Sequence, residues 1–131
     1  MGSSAIASYR DLIVWRRAIE LVEAVYTLSG HFPEDERFGL TSQLRRAAVS
    51  VASNIAEGKS RGTRKEYRQF LVIAYGSSAE VETQLYMAKK LHFVDDTLFK
   101  HADILLDEVM KMLRTLIFRL KTSQPPNLKT S

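Results

Sequence analysis

The segment from Phe38 to Leu85 constrains the fold more than any other part of the chain, because it holds two helical apolar stripes with almost nothing between them. Leu40, Leu44, Ala47 or Ala48, Val51 and Ile55 recur at steps of three and four, which places them on one face of a helix. Tyr67, Phe70 or Leu71, Ala74, Ser77 or Ser78, Val81, Leu85 and Ala88 repeat the pattern downstream. Gly58 is placed to leave the first of these helices in a left-handed conformation, and Thr63 followed three residues later by Glu66 reads as a capping box that opens the second. The spacing predicts a helical hairpin with a short basic connection, Gly58 to Gly62.

The flanking segments predict one more helix on each side. Ser8 with Asp11 resembles an N-cap pair, followed by a stripe of Leu12, Trp15, Ile19, Val22 and Tyr26 that Val25 widens; Gly30 ends it. Pro33 forbids a simple helical continuation. The acidic run Glu34, Asp35, Glu36 fits either a short turn or the N-terminal end of the next helix, where negative charge is favoured. Near Leu91 the third helix gives way, and Asp95–Asp96 offers a cap for a fourth with the stripe Leu98, Ala102, Leu105 or Leu106, Val109, Met112 or Leu113, Leu116 and Leu120. No strand-like alternation and no internal repeat rivals these patterns. The expected fold class is all-α, an antiparallel up-down four-helix bundle over residues 9–121, with disordered ends at 1–8 and 122–131.

Composition removes several function classes. A chain of 131 residues with 45% apolar content can bury one core. No apolar run approaches the roughly 20 residues that cross a bilayer, so no membrane partner is expected. No secretory leader is expected, and Ile6 stands where a myristoylation signal after Met1–Gly2 needs Ser or Thr. The absence of cysteine excludes disulfides, thiolate nucleophiles and cysteine zinc sites, and suits a cytoplasmic protein. His31, His92 and His101 have no His or Glu partner at i,i+4, and no Glu-x-x-His motif of the di-iron bundle kind occurs. Ser50, Ser53, Asn54 and Ser77 have no histidine nearby in sequence to act as a base, so close helix packing is their better role. Gly58–Lys59–Ser60 looks like the end of a phosphate loop, yet Ser53 stands where the upstream glycine belongs and a helix precedes it instead of a strand. No enzyme, metal or cofactor is expected.

Gly76 lies in mid-helix, where glycine costs about 1 kcal/mol against alanine. With Ser77, Ser78 and Ala79 it is expected to face the small surface of Ala47, Ala48, Ala52 and Ser53, a subunit interface being the alternative. Ser53, Asn54, Glu57, Gly76, Ser77 and Glu80 are therefore candidates for packing or for an oligomer interface. Glu57, Glu80 and Glu82 read as solvated or ion-paired surface carboxylates, and Glu57 is placed to orient Arg45, Arg46 or Arg61.

The charge is unevenly distributed. Between Leu40 and Arg68, Arg45, Arg46, Lys59, Arg61, Arg64, Lys65 and Arg68 face only Glu57 and Glu66, a net charge of +5 in a chain whose total is +4. Localised positive charge attracts polyanions, helix N-termini favour anions, and arginine forks suit phosphate. These seven residues are the candidate nucleic-acid-binding set; a merely solubilising surface is the other reading of them. Tyr67 is the single aromatic beside the turn, so no base-stacking platform is expected and binding should be mostly to phosphate backbone.

Tyr9-Arg10-Asp11-Leu12 with Trp15, Gly39-Leu40-Thr41-Ser42-Gln43-Leu44-Arg45-Arg46-Ala47, Ser53-Asn54-Ile55-Ala56-Glu57-Gly58, and Gly76-Ser77 leading to Glu80 resemble the bacterial four-helix bundle proteins encoded by intervening sequences within 23S rRNA genes. The similarity covers about Tyr9 to Lys121, and the SNIAEG segment is its most specific part. Val51–Ala52 departs from the Ile-Pro of many relatives and removes an expected helix kink. The resemblance implies a ring-like homopentamer with a basic surface. It also implies kinship with the accessory variability protein of diversity-generating retroelements, which binds nucleic acid and works with a reverse transcriptase. By position, Arg45, Arg46, Arg61, Arg64 and Lys65 carry over to that surface. The function expected is non-enzymatic, homo-oligomeric binding of structured RNA through the basic turn. The alternative is a scaffold module that docks a protein partner such as a reverse transcriptase.

Overall fold

The computed structural model describes residues 8–122 of the chain. Four helices dominate them: α1 (Ile13–Ser29), α2 (Leu40–Arg61), α3 (Arg64–Lys90) and α4 (Lys100–Thr122). Contacts across the bundle set their directions. Arg45 near the start of α2 donates to Ser29 Oγ at the end of α1, 2.8 Å away. The Arg68 guanidinium near the start of α3 donates to the Ile117 carbonyl late in α4 at 3.2 Å, while Lys89 and Asp103 pair the opposite ends of those helices at 2.7 Å. Arg17 on α1 meets Glu108 on α4 at 3.2 Å and closes the square. The chain is an all-α, up-down-up-down four-helix bundle. The terminal tails expected to be disordered lie outside the described residues, apart from Ser8 and the last helical residue, Thr122.

The α2 and α3 stripes fill the core as their spacing predicts: Leu44, Ala48, Val51 and Ile55 meet Leu71, Ala74, Ser78 and Val81, all fully buried. On α1 the buried line is Val14, Ala18, Leu21, Val25 and Leu28, one step round from the expected stripe. Trp15, Ile19 and Val22 flank the core, and Tyr26 is exposed. α1 packs on both α2 and α4, so its apolar arc is wide and its largest side chains need not mark the centre. Just ahead of α4, Phe99 in the turn Asp96–Phe99 is buried in place of the expected Leu98, which is exposed. The Phe32 ring lies 5.3 Å from Phe93 and 6.4 Å from Phe99, so the two loops at that end join in an aromatic plug.

Several caps act on short 3-10 turns. Ser8 and Asp11 form their capping box around Tyr9–Asp11, and α1 then begins at Ile13. The acidic run realises both of its alternatives: Glu34–Glu36 is a 3-10 turn, and Glu36 Oε1 accepts the Leu40 N–H that opens α2. Asp95 caps the turn Asp96–Phe99, and the hydrogen bonds donated by the Thr97 backbone and hydroxyl hold its carboxyl below the ordinary aspartate pKa.

Gly58 does not end α2. The helix continues to Arg61, and Gly62, at φ 92°, takes the left-handed conformation. Gly58 is buried against α3, where a Cβ would lie 2.6 Å from Phe70 Cβ and 3.2 Å from the Tyr67 carbonyl oxygen. Thr63 Oγ1 accepts the Glu66 N–H at 3.1 Å and donates to Glu66 Oε1, so the glutamate closes on the hydroxyl. α2 also passes through the buried Ala52 without interruption.

Gly76 departs from its expected place. It is exposed, and a Cβ there would meet nothing within 4 Å. One residue on, a helical step of about 100° turns Ser77 and Ser78 inward instead. Ser77 Oγ lies 2.9 Å from Ser50 Oγ, and Asn54 Nδ2 donates to the Ser50 carbonyl at 2.8 Å, so Ser77 and Asn54 are engaged within the chain. Ser53 and Glu80 lie exposed on the outer surface.

Candidate nucleic-acid interface

The seven cations that one stretch of sequence groups together are divided by the fold. At about 1.5 Å per residue along α2, Arg45 and Arg61 sit about 24 Å apart, at opposite ends of the bundle. Arg45 is bound into the α1–α2 contact: besides Ser29 it donates to the Tyr26 carbonyl at 3.4 Å, and its guanidinium lies 4.5 Å from the Tyr26 ring centre. Arg46 is exposed beside it, in a cleft shared with Arg37 and Phe38.

The other five sit where α2 ends and α3 begins, and they differ in what they touch. Arg61 Nε donates to Glu57 Oε2 at 2.9 Å, its NH1 lies 3.5 Å from Glu66, and its guanidinium rests 5.0 Å from the Phe70 ring centre. Of the three arginines that Glu57 could orient, Arg61 is the one it contacts. Lys59 Nζ lies 5.4 Å from the centre of the Tyr67 ring. The Tyr67 hydroxyl is buried with no hydrogen-bond partner among the described residues, and burial raises its pKa above the usual value of 10.0. Tyr67 is therefore part of the packing. Arg64 and Lys65 stand exposed in the first turn of α3, and Arg68 points toward α4.

The topology adds cations from distant parts of the sequence. Antiparallel packing returns the start of α1 and the end of α4 to the same end as the α2–α3 turn. Taking the Ser50–Ser77 hydrogen bond and the Arg17–Glu108 ion pair as the mid-plane, this half holds Arg10, Arg16, Lys59, Arg61, Arg64, Lys65, Arg68, Lys111, Arg114, Arg119 and Lys121 against Asp11, Glu57 and Glu66. The opposite half carries Arg37, Arg45, Arg46, Lys89, Lys90 and Lys100 against Glu20, Glu23, Glu34, Asp35, Glu36, Glu80, Glu82, Asp95, Asp96, Asp103 and Asp107. The described chain is thus strongly positive at one end and negative at the other. A window drawn along the sequence groups Arg45 and Arg46 with the wrong end and misses the α1 and α4 cations. The up-down order of the helices was the signal that could have placed them.

Other clusters are less developed. His31 and His101 line a cleft between α1 and α4 with Glu20 and Glu23, but among the described residues no three His, Asp or Glu side chains are grouped to hold a metal ion. No helix among them is long and apolar enough to cross a membrane.

The fold has a solved counterpart in a protein of unknown function from the S23 ribosomal protein family of Bacteroides thetaiotaomicron VPI-5482. It superposes with a TM-score of 0.74 at 21% identity, covering 80% of this chain and 98% of that one. No curated protein matches in sequence. The family model for the 23S rRNA-intervening sequence protein matches residues 10–115, nearly the whole described bundle. The chain belongs to the 23S rRNA-intervening sequence protein family.

Proposed function

We propose that this chain is a non-enzymatic subunit of a cytoplasmic homopentamer, encoded in a 23S rRNA intervening sequence, that binds structured RNA through its basic end. The charge separation carries this reading. Eleven Lys and Arg against three Asp and Glu at one end make a field that gathers phosphate, while the acidic end repels it and so orients the bound chain. Arg64 and Lys65 lie at the start of α3, where the helix dipole adds to the attraction for anions. The large apolar side chains left on the surface, among them Ile13, Phe38, Ile73, Tyr86, Leu91 and Ile104, are the candidate contacts between subunits. A ring would repeat the basic end in every subunit and convert weak phosphate contacts into avidity.

The test is RNA binding by the purified protein across a salt series, with assembly state measured in the same buffers. The expected result is an oligomer whose log affinity falls linearly with log salt, by about 0.7 to 0.9 per neutralised phosphate. Absence of binding at low salt overturns the reading.

A further inference from the structure

A groove of about 560 Å³ runs between the first half of α3 and the second half of α4, at the basic end of the bundle. Arg68, Val72, Tyr75, Arg114, Phe118 and Lys121 line it, and no carboxylate does. Its size falls within the range of small-ligand sites. Two chemistries meet in it. Val72 is 45% and Phe118 65% exposed, so apolar surface reaches solvent between cations. Two of the cations are also held in place: Arg68 Nε donates to the Ile117 carbonyl at 3.2 Å, and Arg114 NH1 donates to the Tyr75 hydroxyl at 3.1 Å. The Arg114 guanidinium lies 5.9 Å from the Tyr75 ring centre. Cations ordered in this way lose less side-chain entropy when they meet an anion.

Duplex RNA presents phosphates outside and hides its base faces in the stack, so an apolar groove gains little from it. An unpaired nucleotide offers a flat apolar base and a phosphate within one residue's length, which is the combination lining the groove. An acidic amphipathic helix matches the charge as well. The nucleotide is favoured because the groove lies in the same positive half as Arg64 and Lys65, and because its fixed cations are arginines, whose forks match phosphate.

We propose that this groove receives an unpaired nucleotide of the bound RNA, its base against Val72, Tyr75 and Phe118 and its phosphate held by Arg68, Arg114 and Lys121. The proposal rests on the RNA-binding reading above and narrows it to RNA with single-stranded segments.

The experiment compares a 2-aminopurine-labelled single-stranded oligoribonucleotide with a fully paired duplex of the same length, at one salt concentration. Wild type is set against Val72→Glu and Phe118→Ala, with thermal melting and sedimentation run on each. Both substitutions fall on exposed helical positions, and the second variant keeps the test decisive should the first fail to fold. The expected result is tighter binding of the single strand, a change in 2-aminopurine fluorescence on binding, and a loss of about 5- to 100-fold for single strand in either variant, with duplex affinity changed less than about threefold for Phe118→Ala. Unchanged single-strand affinity in a folded variant overturns the proposal and leaves RNA binding standing. A shift in assembly state for Phe118→Ala overturns it by making the groove a contact between copies, and an acidic amphipathic helical peptide, titrated in parallel, that binds wild type but not Phe118→Ala while RNA affinity is the same in both makes it a peptide site. Failure of wild type to bind either RNA at low salt removes the underlying reading as well.

Discussion

At Gly58 the backbones of α2 and α3 come so close that a single added carbon would lie 2.6 Å from Phe70 Cβ. Neither the Phe70 Cβ nor the Tyr67 carbonyl can yield without separating the helices, so Gly58→Ala should cost about 1–3 kcal/mol, the usual range for overpacking. Gly76 tests the same chemistry with the opposite sign. It sits in a helix with open space beyond its Cα, so Gly76→Ala should stabilise the monomer by about 1 kcal/mol through helix propensity alone. Urea unfolding followed by circular dichroism, at concentrations where the chain is monomeric, measures both. Two helical glycines thus play different parts, and the difference was not legible beforehand. A glycine near a presumed helix end looks like a terminator, and one in mid-helix looks like a close contact. Here the apparent terminator makes the contact, because which way a Cα faces depends on the neighbouring helix.

At the scale of the helices, apolar periodicity carried furthest where a helix faces a strict stripe. Leu44, Val51 and Ile55, or Leu71, Ala74 and Val81, are buried as their spacing requires. It carried less far for α1, whose arc touches two neighbours, and at the start of α4, where the 3-10 turn Asp96–Phe99 changes the angular step and turns Phe99 inward in place of Leu98. Polar side chains were harder still to read, since their partners lie on other helices. Arg45 looked like a phosphate ligand, yet it joins α2 to α1 through Ser29, the Tyr26 carbonyl and the Tyr26 ring. Arg45→Ala should therefore cost about 1–3 kcal/mol of stability, as for the loss of charge-assisted hydrogen bonds, while RNA affinity changes by less than about twofold, because the residue lies at the acidic end. Thermal melting and a binding titration on the same preparation check the two halves of this expectation.

At the scale of the whole molecule, an even number of antiparallel helices turns a modest net charge into a polar one. A short basic stretch at the α2–α3 turn would be one patch among several if the fold did not bring Arg10, Arg16, Arg114, Arg119 and Lys121 to the same end. Position and total charge can be separated by removing the same charge from each end. Arg64→Gln with Lys65→Gln removes two cations beside the α2–α3 turn; Arg46→Gln with Lys90→Gln removes two from the other end, all four residues being exposed. If net charge governed binding, both double variants would weaken RNA affinity alike. If the basic end is the binding surface, the first should lower the slope of log affinity against log salt by about 1.4 per subunit engaged on single-stranded RNA, at about 0.7 for each phosphate that is no longer neutralised. The second should leave the slope unchanged, because charge more than a Debye length of about 8 Å from the RNA is screened at physiological salt. Equal slopes in the two variants would remove the orientation from the mechanism, since an RNA indifferent to which end lost its charge could not be held by one end alone.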